Sequence, residues 1–218
     1  MQGPQGLSGP QGLSGLQGLS GLQGLQGLQA DISCNGIAVR DHFLTPSQAN
    51  ALNRCARARR ERGDFVPARI GAHTRALRRA QIRGDSICWL AEPLLPPERE
   101  LLGALEQVRL MLNREAFLGL FELEMHYAWY PPGAGYARHI DQPRGSGQRR
   151  VSLVLYLNRR WRVGDGGELK IVDDLGRDRH IEPAAGRLAV FLTAGREHEV
   201  MPTRRDRLSL TGWFRGRE

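Results

Sequence analysis

The sequence predicts an α+β protein in which helices precede a set of antiparallel strands. Two observations support this. Apolar residues recur at helical spacing in the first half of the chain. From about Leu120 the pattern changes to short alternating runs separated by Gly, Pro and Asp. Such runs are typical of an antiparallel barrel or sandwich, and the domain is expected to span residues 31–218.

Residues 1–30 have a different composition. They carry no charged side chain, and glycine recurs at every third position from Gly3 to Gly27. This is the period of collagen. Only Pro4 and Pro10 lie within the nine triplets, whereas collagen-like sequences carry roughly 15–20% imino acid or more. The segment is therefore expected to be a disordered, low-complexity tail, with a trimerising stalk as the alternative.

Two helices are predicted, over residues 45–62 and 96–117. The first has Thr45 as a capping residue, Pro46 in its first turn and Gly63 just beyond its end. Apolar residues at helical spacing mark the second, at Leu101, Leu102, Leu105, Val108 and Leu112.

Six strand-like runs follow the second helix. They are residues 121–130, 151–158, 167–174, 179–183, 187–193 and 207–214. Because side chains on a strand alternate between faces, Arg207, Ser209, Thr211 and Trp213 should share one face of the last run. Leu208, Leu210 and Phe214 should occupy the other.

The charge balance favours acidic partners. The chain has 31 Lys and Arg against 23 Asp and Glu, a formal charge of +8. Three cysteines without metal-type spacing fit a reducing compartment. No apolar run is long enough to span a membrane, and no signal-peptide pattern is present. A cytoplasmic location is expected.

His139 and Asp141 are two residues apart, so on an extended segment both side chains point the same way. An imidazole and a carboxylate on one face can form two corners of a metal site. The third corner must come from elsewhere, and His198 lies on a predicted short strand 57 residues beyond Asp141. Two histidines and one carboxylate select non-haem Fe(II), whereas zinc more often takes a closed four-ligand set.

Arg207 follows His198 by nine residues. An arginine on the inner face of a small barrel is costly unless an anion meets it. A dicarboxylate would supply that anion, and the guanidinium fork can hold a carboxylate through two bonds. Tyr156 shares a face with Ser152 and Val154, so its hydroxyl could reach the same carboxylate; the alternative is a core aromatic residue.

At this point the sequence resembles a known family. Five stretches, IRGDSICWL, YPPGAGYARHIDQPRGSG, LYLNRRW, GGELKI and HEVMPTRRDRLSLTGWF, are similar to the hypoxia-inducible-factor-type prolyl hydroxylases. These are Fe(II)- and 2-oxoglutarate-dependent oxygenases. The resemblance covers roughly residues 41–215 in the same motif order. It implies a double-stranded β-helix core (jelly-roll or cupin-like) with supporting N-terminal helices.

The resemblance also implies roles for individual residues. Fe(II) would be held by His139, Asp141 and His198, which with Arg207 form the catalytic set. The cosubstrate 2-oxoglutarate would be bound by Arg207, Tyr156, Thr211 and Tyr130. The prolyl substrate would be flanked by Trp213 and Arg149.

The implied reaction is hydroxylation of a prolyl residue, with 2-oxoglutarate and O2 converted to succinate and CO2 and ascorbate in support. The expected partner is an acidic protein with an exposed prolyl loop, and translation elongation factor Tu is the first candidate. The enzyme is expected to be a monomer without membrane or nucleic-acid partners. The Gly- and Arg-rich segments 66–81 and 143–150 are expected to gate the substrate.

Two other functions compete with this interpretation. The first is hydroxylation of a small molecule such as a free amino acid, which would require a tight pocket closed by short loops. The second is a non-enzymatic module that binds nucleic acid through the basic surface. Aromatic residues interleaved with the arginines would favour that module, and the Arg-rich stretches contain none.

Overall fold

The computed structural model describes residues 25–69, 81–141 and 148–217. The helices in these ranges are α1 (Leu28–Asn35), α2 (Pro46–Glu61) and α3 (Pro96–Ala116). The strands are β1 (Ile37–Arg40), β2 (Val66–Pro67), β3 (Ser86–Trp89), β4 (Leu120–Tyr130), β5 (Tyr136–His139), β6 (Arg149–Tyr156), β7 (Leu169–Val172), β8 (Asp178–Ile181), β9 (Leu188–Leu192), β10 (His198–Val200) and β11 (Arg207–Gly216). The predicted α+β class is confirmed. Within the same ranges, no helix has the length and apolar character needed to cross a membrane.

The strands form two antiparallel sheets. The large sheet has the order β1-β9-β6-β11-β4-β3-β2, and the small sheet has the order β5-β10-β7-β8. The small sheet covers one face of the large sheet, where Ile171 and Ile181 pack against Tyr156 and Phe191. Two facing antiparallel sheets of this kind form the predicted double-stranded β-helix.

The helices cover the opposite face of the large sheet. Leu105 and Leu112 of α3 are fully buried in the same cluster as Leu153, Leu210 and Phe214. Burial of each such side chain contributes about 1.5–3 kcal/mol. The alternation predicted for residues 207–214 follows from this arrangement, because one face of β11 meets the helices and the other meets the small sheet.

The first predicted helix, α2, begins where its capping signal lies. The Thr45 hydroxyl accepts a hydrogen bond from the Gln48 amide, and the Gln48 side chain accepts one from the Thr45 amide. Arg59 near the end of α2 donates two hydrogen bonds, of 2.8 and 2.7 Å, to the buried Glu98 in the first turn of α3. The pair ties α2 to α3.

The folded part extends upstream of the boundary predicted at Asp31. Helix α1 begins at Leu28, and Leu25, Leu28 and Ile32 are buried in the main core. Leucines of the last triplets therefore supply apolar contacts that the glycine period does not reveal. The predicted tail up to residue 24 lies outside the described residues. So do residues 70–80 and 142–147, which make up most of the two predicted gates.

Candidate active site

The three predicted metal ligands lie together. His139 ends β5 and His198 begins β10, and the two are direct partners in the antiparallel pairing of these strands. Their ring centroids are 4.2 Å apart. The two Asp141 carboxylate oxygens lie 3.4 Å from His139 Nε2 and 3.5 Å from His198 Nε2. One ligand atom from each residue falls within 4.8 Å of the others, which is close enough for all three to share one ion.

Hydrogen bonds orient both imidazoles for this task. His139 Nδ1 lies 2.8 Å from the Ala137 carbonyl oxygen, and His198 Nδ1 lies 3.1 Å from the Arg196 carbonyl oxygen. A carbonyl oxygen only accepts, so the proton is assigned to Nδ1 in each ring. Each Nε2 then faces Asp141 and would offer its lone pair to a bound metal ion. Two imidazoles and one carboxylate on one side of a cavity fit Fe(II).

Asp141 is held by side chains behind it. The Ser152 hydroxyl donates a 2.8 Å hydrogen bond to Asp141 Oδ2 and lies 2.9 Å from the Thr193 hydroxyl. Burial acts to raise the pKa of Asp141, but the adjacent His198 and His139 outweigh it and hold the pKa well below 3.8. The residue therefore presents an anionic, oriented carboxylate.

Arg207 lies in the same cavity, and its exposed fraction is only 1%. It donates hydrogen bonds to the Gly167 carbonyl oxygen (2.7 Å) and the Ser209 hydroxyl (3.3 Å). Among the described residues, no carboxylate lies within ion-pair distance of its guanidinium. A buried cation without an anion is unfavourable, so the site is suited to a carboxylate-bearing ligand.

Two tyrosines flank this guanidinium. The rings of Tyr130 and Tyr156 lie 5.0 and 5.3 Å from the Arg207 Cζ atom. The Tyr156 hydroxyl is buried and has no hydrogen-bond partner in the described part of the chain. Burial raises the pKa of Tyr156 to about 12, so the hydroxyl keeps its proton and can donate it. Donors from Arg207 and Tyr156 therefore converge where the resemblance implies the distal carboxylate of 2-oxoglutarate.

Strand register sets the positions of the other residues on the cavity wall. On the β4–β11 pair, Tyr130 faces Arg207, His126 faces Thr211 and Glu124 faces Trp213. Thr211 and Trp213 both line the cavity, as predicted from alternation. The cavity has a volume of about 40 Å³ for the centres of water-sized molecules.

Arg149 lies beside Trp213 rather than free in the cavity. Its guanidinium stacks 3.6 Å from the Trp213 ring centroid. It also donates hydrogen bonds to Glu124 (2.5 Å) and to the Asp141 carbonyl oxygen (3.0 Å). Arg149 thus braces Trp213 and the chain at Asp141, and its contact with a substrate stays a prediction.

Sequence reasoning missed other residues of the cavity. The Tyr136 ring stacks on the His139 ring with centroids 3.5 Å apart. Arg83 donates two hydrogen bonds to the buried Asp85 (2.8 and 3.1 Å), and both residues line the cavity. Tyr136 lies three residues before His139, a spacing that places side chains on opposite faces of a regular strand. The register irregularity between these residues of β5 was not visible in the sequence.

His126 is another buried residue of the cavity wall. The ring is 1% exposed and lines the cavity, and neither nitrogen has a partner among the described residues. Alternation along β4 was the available signal, because it puts His126 on the same face as Tyr130.

The comparisons agree with this geometry. Residues 125–215 match the family model of the 2OG-Fe(II) oxygenase superfamily. Egl nine homolog 1 of Homo sapiens is 30% identical over 190 residues, which are 83% of this chain and 44% of that protein. Prolyl hydroxylase EGLN3 of Homo sapiens is 33% identical over 171 residues, 73% of this chain and 67% of that protein. The chain spans about half the length of the Egl nine homolog 1 proteins it matches.

Solved structures extend the likeness to the whole fold. A Pseudomonas putida prolyl-4-hydroxylase is 41% identical with a TM-score of 0.80, and the match covers 88% of this chain and 99% of that one. A Trichoplax adhaerens prolyl hydroxylase, solved with a hypoxia-inducible-factor peptide, is 25% identical with a TM-score of 0.78, covering 86% and 87%. The chain belongs to the 2OG-Fe(II) oxygenase superfamily.

Proposed function

We propose that the chain is a prolyl hydroxylase that acts on a protein substrate and uses Fe(II), 2-oxoglutarate and O2. The observation that carries the proposal is the proximity of the His139, Asp141 and His198 cluster to the buried Arg207, which has no anion among the described residues. The prolyl hydroxylases named above support the choice of substrate class.

The metal and cosubstrate supply the oxidising chemistry, which converts 2-oxoglutarate to succinate and CO2 and inserts one oxygen atom into a proline C–H bond. The protein supplies position and exclusion of water. His139, Asp141 and His198 would hold the metal through Nε2, a carboxylate oxygen and Nε2. Arg207 and Tyr156 would bind the distal carboxylate of 2-oxoglutarate, with Tyr130 and Thr211 lining its path.

Trp213, braced by Arg149, would provide an apolar wall for the proline ring. The proposed substrate is an acidic protein with an exposed prolyl loop, and elongation factor Tu is the first candidate. The basic charge of the chain supports this choice. A cytoplasmic, monomeric enzyme with ascorbate as supporting reductant completes the proposal.

The test begins with metal and cosubstrate. Purified protein under nitrogen receives Fe(II) and then 2-oxoglutarate, and the weak visible metal-to-ligand absorption band is recorded. We expect a band in the wild type and in His180→Ala, which changes an exposed histidine on β8. His198→Ala should show none. Absence of the band from metal-loaded wild type would overturn the proposed function.

The substrate is tested separately. Elongation factor Tu is incubated with the enzyme, Fe(II), 2-oxoglutarate, ascorbate and air, and its tryptic peptides are analysed by mass spectrometry. The expected product is a prolyl peptide heavier by one oxygen atom, absent with His198→Ala. If elongation factor Tu stays unmodified while the absorption band is present, the choice of substrate is wrong, but the proposed binding of Fe(II) and 2-oxoglutarate is retained.

A further inference from the structure

His126 is a buried polar side chain whose hydrogen-bonding capacity is unused. Its ring is 1% exposed, and neither ring nitrogen has a partner among the described residues. A buried donor or acceptor without a partner reduces stability. An unpaired histidine on the wall of an active-site cavity therefore indicates that its hydrogen-bond partner belongs to the bound ligand.

The position of the ring is well fixed. His126 is paired with Thr211 across β4 and β11 and with Trp89 across β3 and β4. The Trp89 ring meets the imidazole edge-on at 4.8 Å between centroids, and the Trp213 ring lies 5.4 Å away on another side. Two indoles therefore hold the imidazole in place without using its nitrogens.

This position separates His126 from the predicted carboxylate end of the cavity. On β4, His126 lies four residues before Tyr130, the partner of Arg207. Its strand partner Thr211 lies on the path proposed for 2-oxoglutarate, but the rings that contact the imidazole are those of Trp213 and Trp89, on the side where the proline ring is proposed to bind. The ligand group that meets its nitrogens is therefore expected to belong to the substrate rather than to 2-oxoglutarate.

The chemistry of a prolyl residue indicates which group of the substrate His126 can bind. Burial, assisted by Arg83 and Arg149, holds the pKa of His126 well below 6.5, so the ring is neutral and has one N–H donor and one acceptor nitrogen. A prolyl residue has no backbone N–H, and its polar groups are its own carbonyl oxygen and that of the preceding residue. Only the donor of His126 can serve such a ligand.

We propose that His126 donates a hydrogen bond from its ring N–H to a carbonyl oxygen of the bound prolyl segment. This bond would orient the proline ring between Trp213 and the proposed metal ligands His139, Asp141 and His198. This inference rests on the proposed function. It adds to Trp213 and Arg149 a polar substrate-binding residue that fixes the direction in which the peptide enters.

A structural histidine would behave differently on substitution. Leucine fills the space without presenting an unpaired polar group, so His126→Leu should keep or raise the stability of the fold if the residue serves the ligand. A histidine that stabilised the fold through its own contacts would lower the melting temperature on the same change. Stability and ligand affinity are therefore expected to move in opposite directions.

The experiment measures binding without turnover. Protein loaded with Mn(II) and 2-oxoglutarate under nitrogen is titrated with N-acetyl-L-proline methylamide, the smallest probe with both prolyl carbonyls. Paramagnetic relaxation of the probe's ring protons reports binding next to the metal. His126→Leu should weaken probe affinity roughly 3- to 10-fold, with 2-oxoglutarate affinity within about twofold of wild type and an apparent Tm unchanged or higher by about 2–4 °C.

His126→Gln is the matched rescue, because its amide N–H₂ restores a donor at the same position. It should recover most of the lost probe affinity. The inference is overturned if the wild type does not bind the probe near the metal. It is also overturned if His126→Leu binds the probe as well as the wild type does, loses 2-oxoglutarate affinity to the same extent as probe affinity, or has a lower Tm. A His126→Gln variant that recovers no probe affinity would overturn it too. Failure of the proposed function is seen independently, in a wild type without the visible band.

Discussion

The Arg207 side chain illustrates how one residue can prepare a site for its ligand. Its Nε–H donates to the Gly167 carbonyl oxygen and Nη1 donates to the Ser209 hydroxyl, so part of the guanidinium is anchored by neutral groups. Arg207 lines the cavity, and the hydroxyl of the adjacent Tyr156 also lacks a partner among the described residues. Because the anchors carry no charge, they orient the cation without neutralising it.

Replacement of Arg207 should therefore act on the cosubstrate first. Arg207→Ala is expected to raise the dissociation constant for 2-oxoglutarate about 10- to 100-fold, since charge-assisted hydrogen bonds contribute about 1.5–3 kcal/mol. Anaerobic titration of the visible band measures it. Arg205→Ala, which removes an exposed arginine two residues earlier, should bind within about twofold of wild type. An equal loss of 2-oxoglutarate affinity in Arg207→Ala and Arg205→Ala would contradict a specific role for Arg207.

The buried His126 also predicts how stability changes with pH. In the unfolded chain this imidazole takes up a proton near pH 6.5, whereas the native ring stays neutral because its pKa lies well below that value. The unfolded state therefore binds more protons, and acidification favours unfolding. Below about pH 6.5 the wild type should lose up to about 1.4 kcal/mol per pH unit relative to His126→Leu.

Urea denaturation of both proteins at about pH 7.5, 6.5 and 5.5 tests this expectation. The difference between the two curves isolates His126 from the other histidines, which both proteins share. Parallel curves over this interval would show that the native ring titrates like the unfolded one.

Some site residues could be predicted from the sequence and others could not. His139, Asp141 and His198 are of ligand type and occur at strand-compatible spacing, so pattern alone suggested them. Ser152 and Thr193 are common residue types on separate strands, and nothing in their local sequence marks them. Ser152 contacts Asp141, and Thr193 contacts Ser152. The second contact depends on the register between β6 and β9, where Ser152 lies opposite Phe191, and register is a property of the assembled sheet.

At the scale of elements, the site is built across two sheets. β5 and β10 of the small sheet supply the histidines, while Ser152 on β6 of the large sheet supports the carboxylate between them. The orientation of Asp141 therefore depends on how the two sheets pack and not on its own loop alone.

Ser152→Ala tests this dependence. Loss of the hydroxyl removes the hydrogen bond to Asp141 Oδ2, and changes to the partners of metal ligands lower metal affinity about 10- to 100-fold. Competition with a fluorescent chelator for Mn(II) or Fe(II) gives the value. Ser33→Ala, an exposed serine of α1, should bind metal as the wild type does. Unchanged affinity in Ser152→Ala would show that the carboxylate is oriented by other contacts.

Elements were predictable where a local signal exists. Thr45, Pro46 and Gln48 specify the start of α2, and leucine periodicity specifies α3. Helix α1 gives a weaker signal, because the i, i+3 spacing of Leu25 and Leu28 is also that of the triplet repeat with glycine. Packing of Leu28 and Ile32 against the core selects the helix there, and packing is not visible in a short segment of sequence.

At the scale of the whole molecule, arginine dominates the surface. One surface cavity of about 450 Å³ is lined by Arg159, Arg160, Arg162 and Arg205, with Asp165 as its acidic lining residue. Arg205 stacks on Trp161 and bonds to Asp165. The other three arginines form no ion pair within the described ranges. A surface of this kind attracts acidic proteins over about 8–10 Å at moderate salt.

Salt should therefore weaken the encounter with an acidic protein substrate. With elongation factor Tu, the apparent KM is expected to rise severalfold between about 50 and 300 mM NaCl, because exposed charges are screened. A short uncharged prolyl peptide should show little change under the same conditions. An Arg159→Gln, Arg160→Gln, Arg162→Gln variant should have a flatter dependence. Equal salt effects on protein and peptide would contradict electrostatic steering.

The pairing of His139 with His198 also affects how firmly strand β5 is held in the fold. Strand β5 is the edge of the small sheet and joins β10 through only two residue pairs, with a register irregularity between them. A metal ion held by His139 and His198 would act as a cross-link between positions 59 residues apart. Closing so long a loop restricts the unfolded chain far more than the folded one. Iron loading would thus resist proteolytic opening of the edge strand as well as equip the enzyme for its reaction.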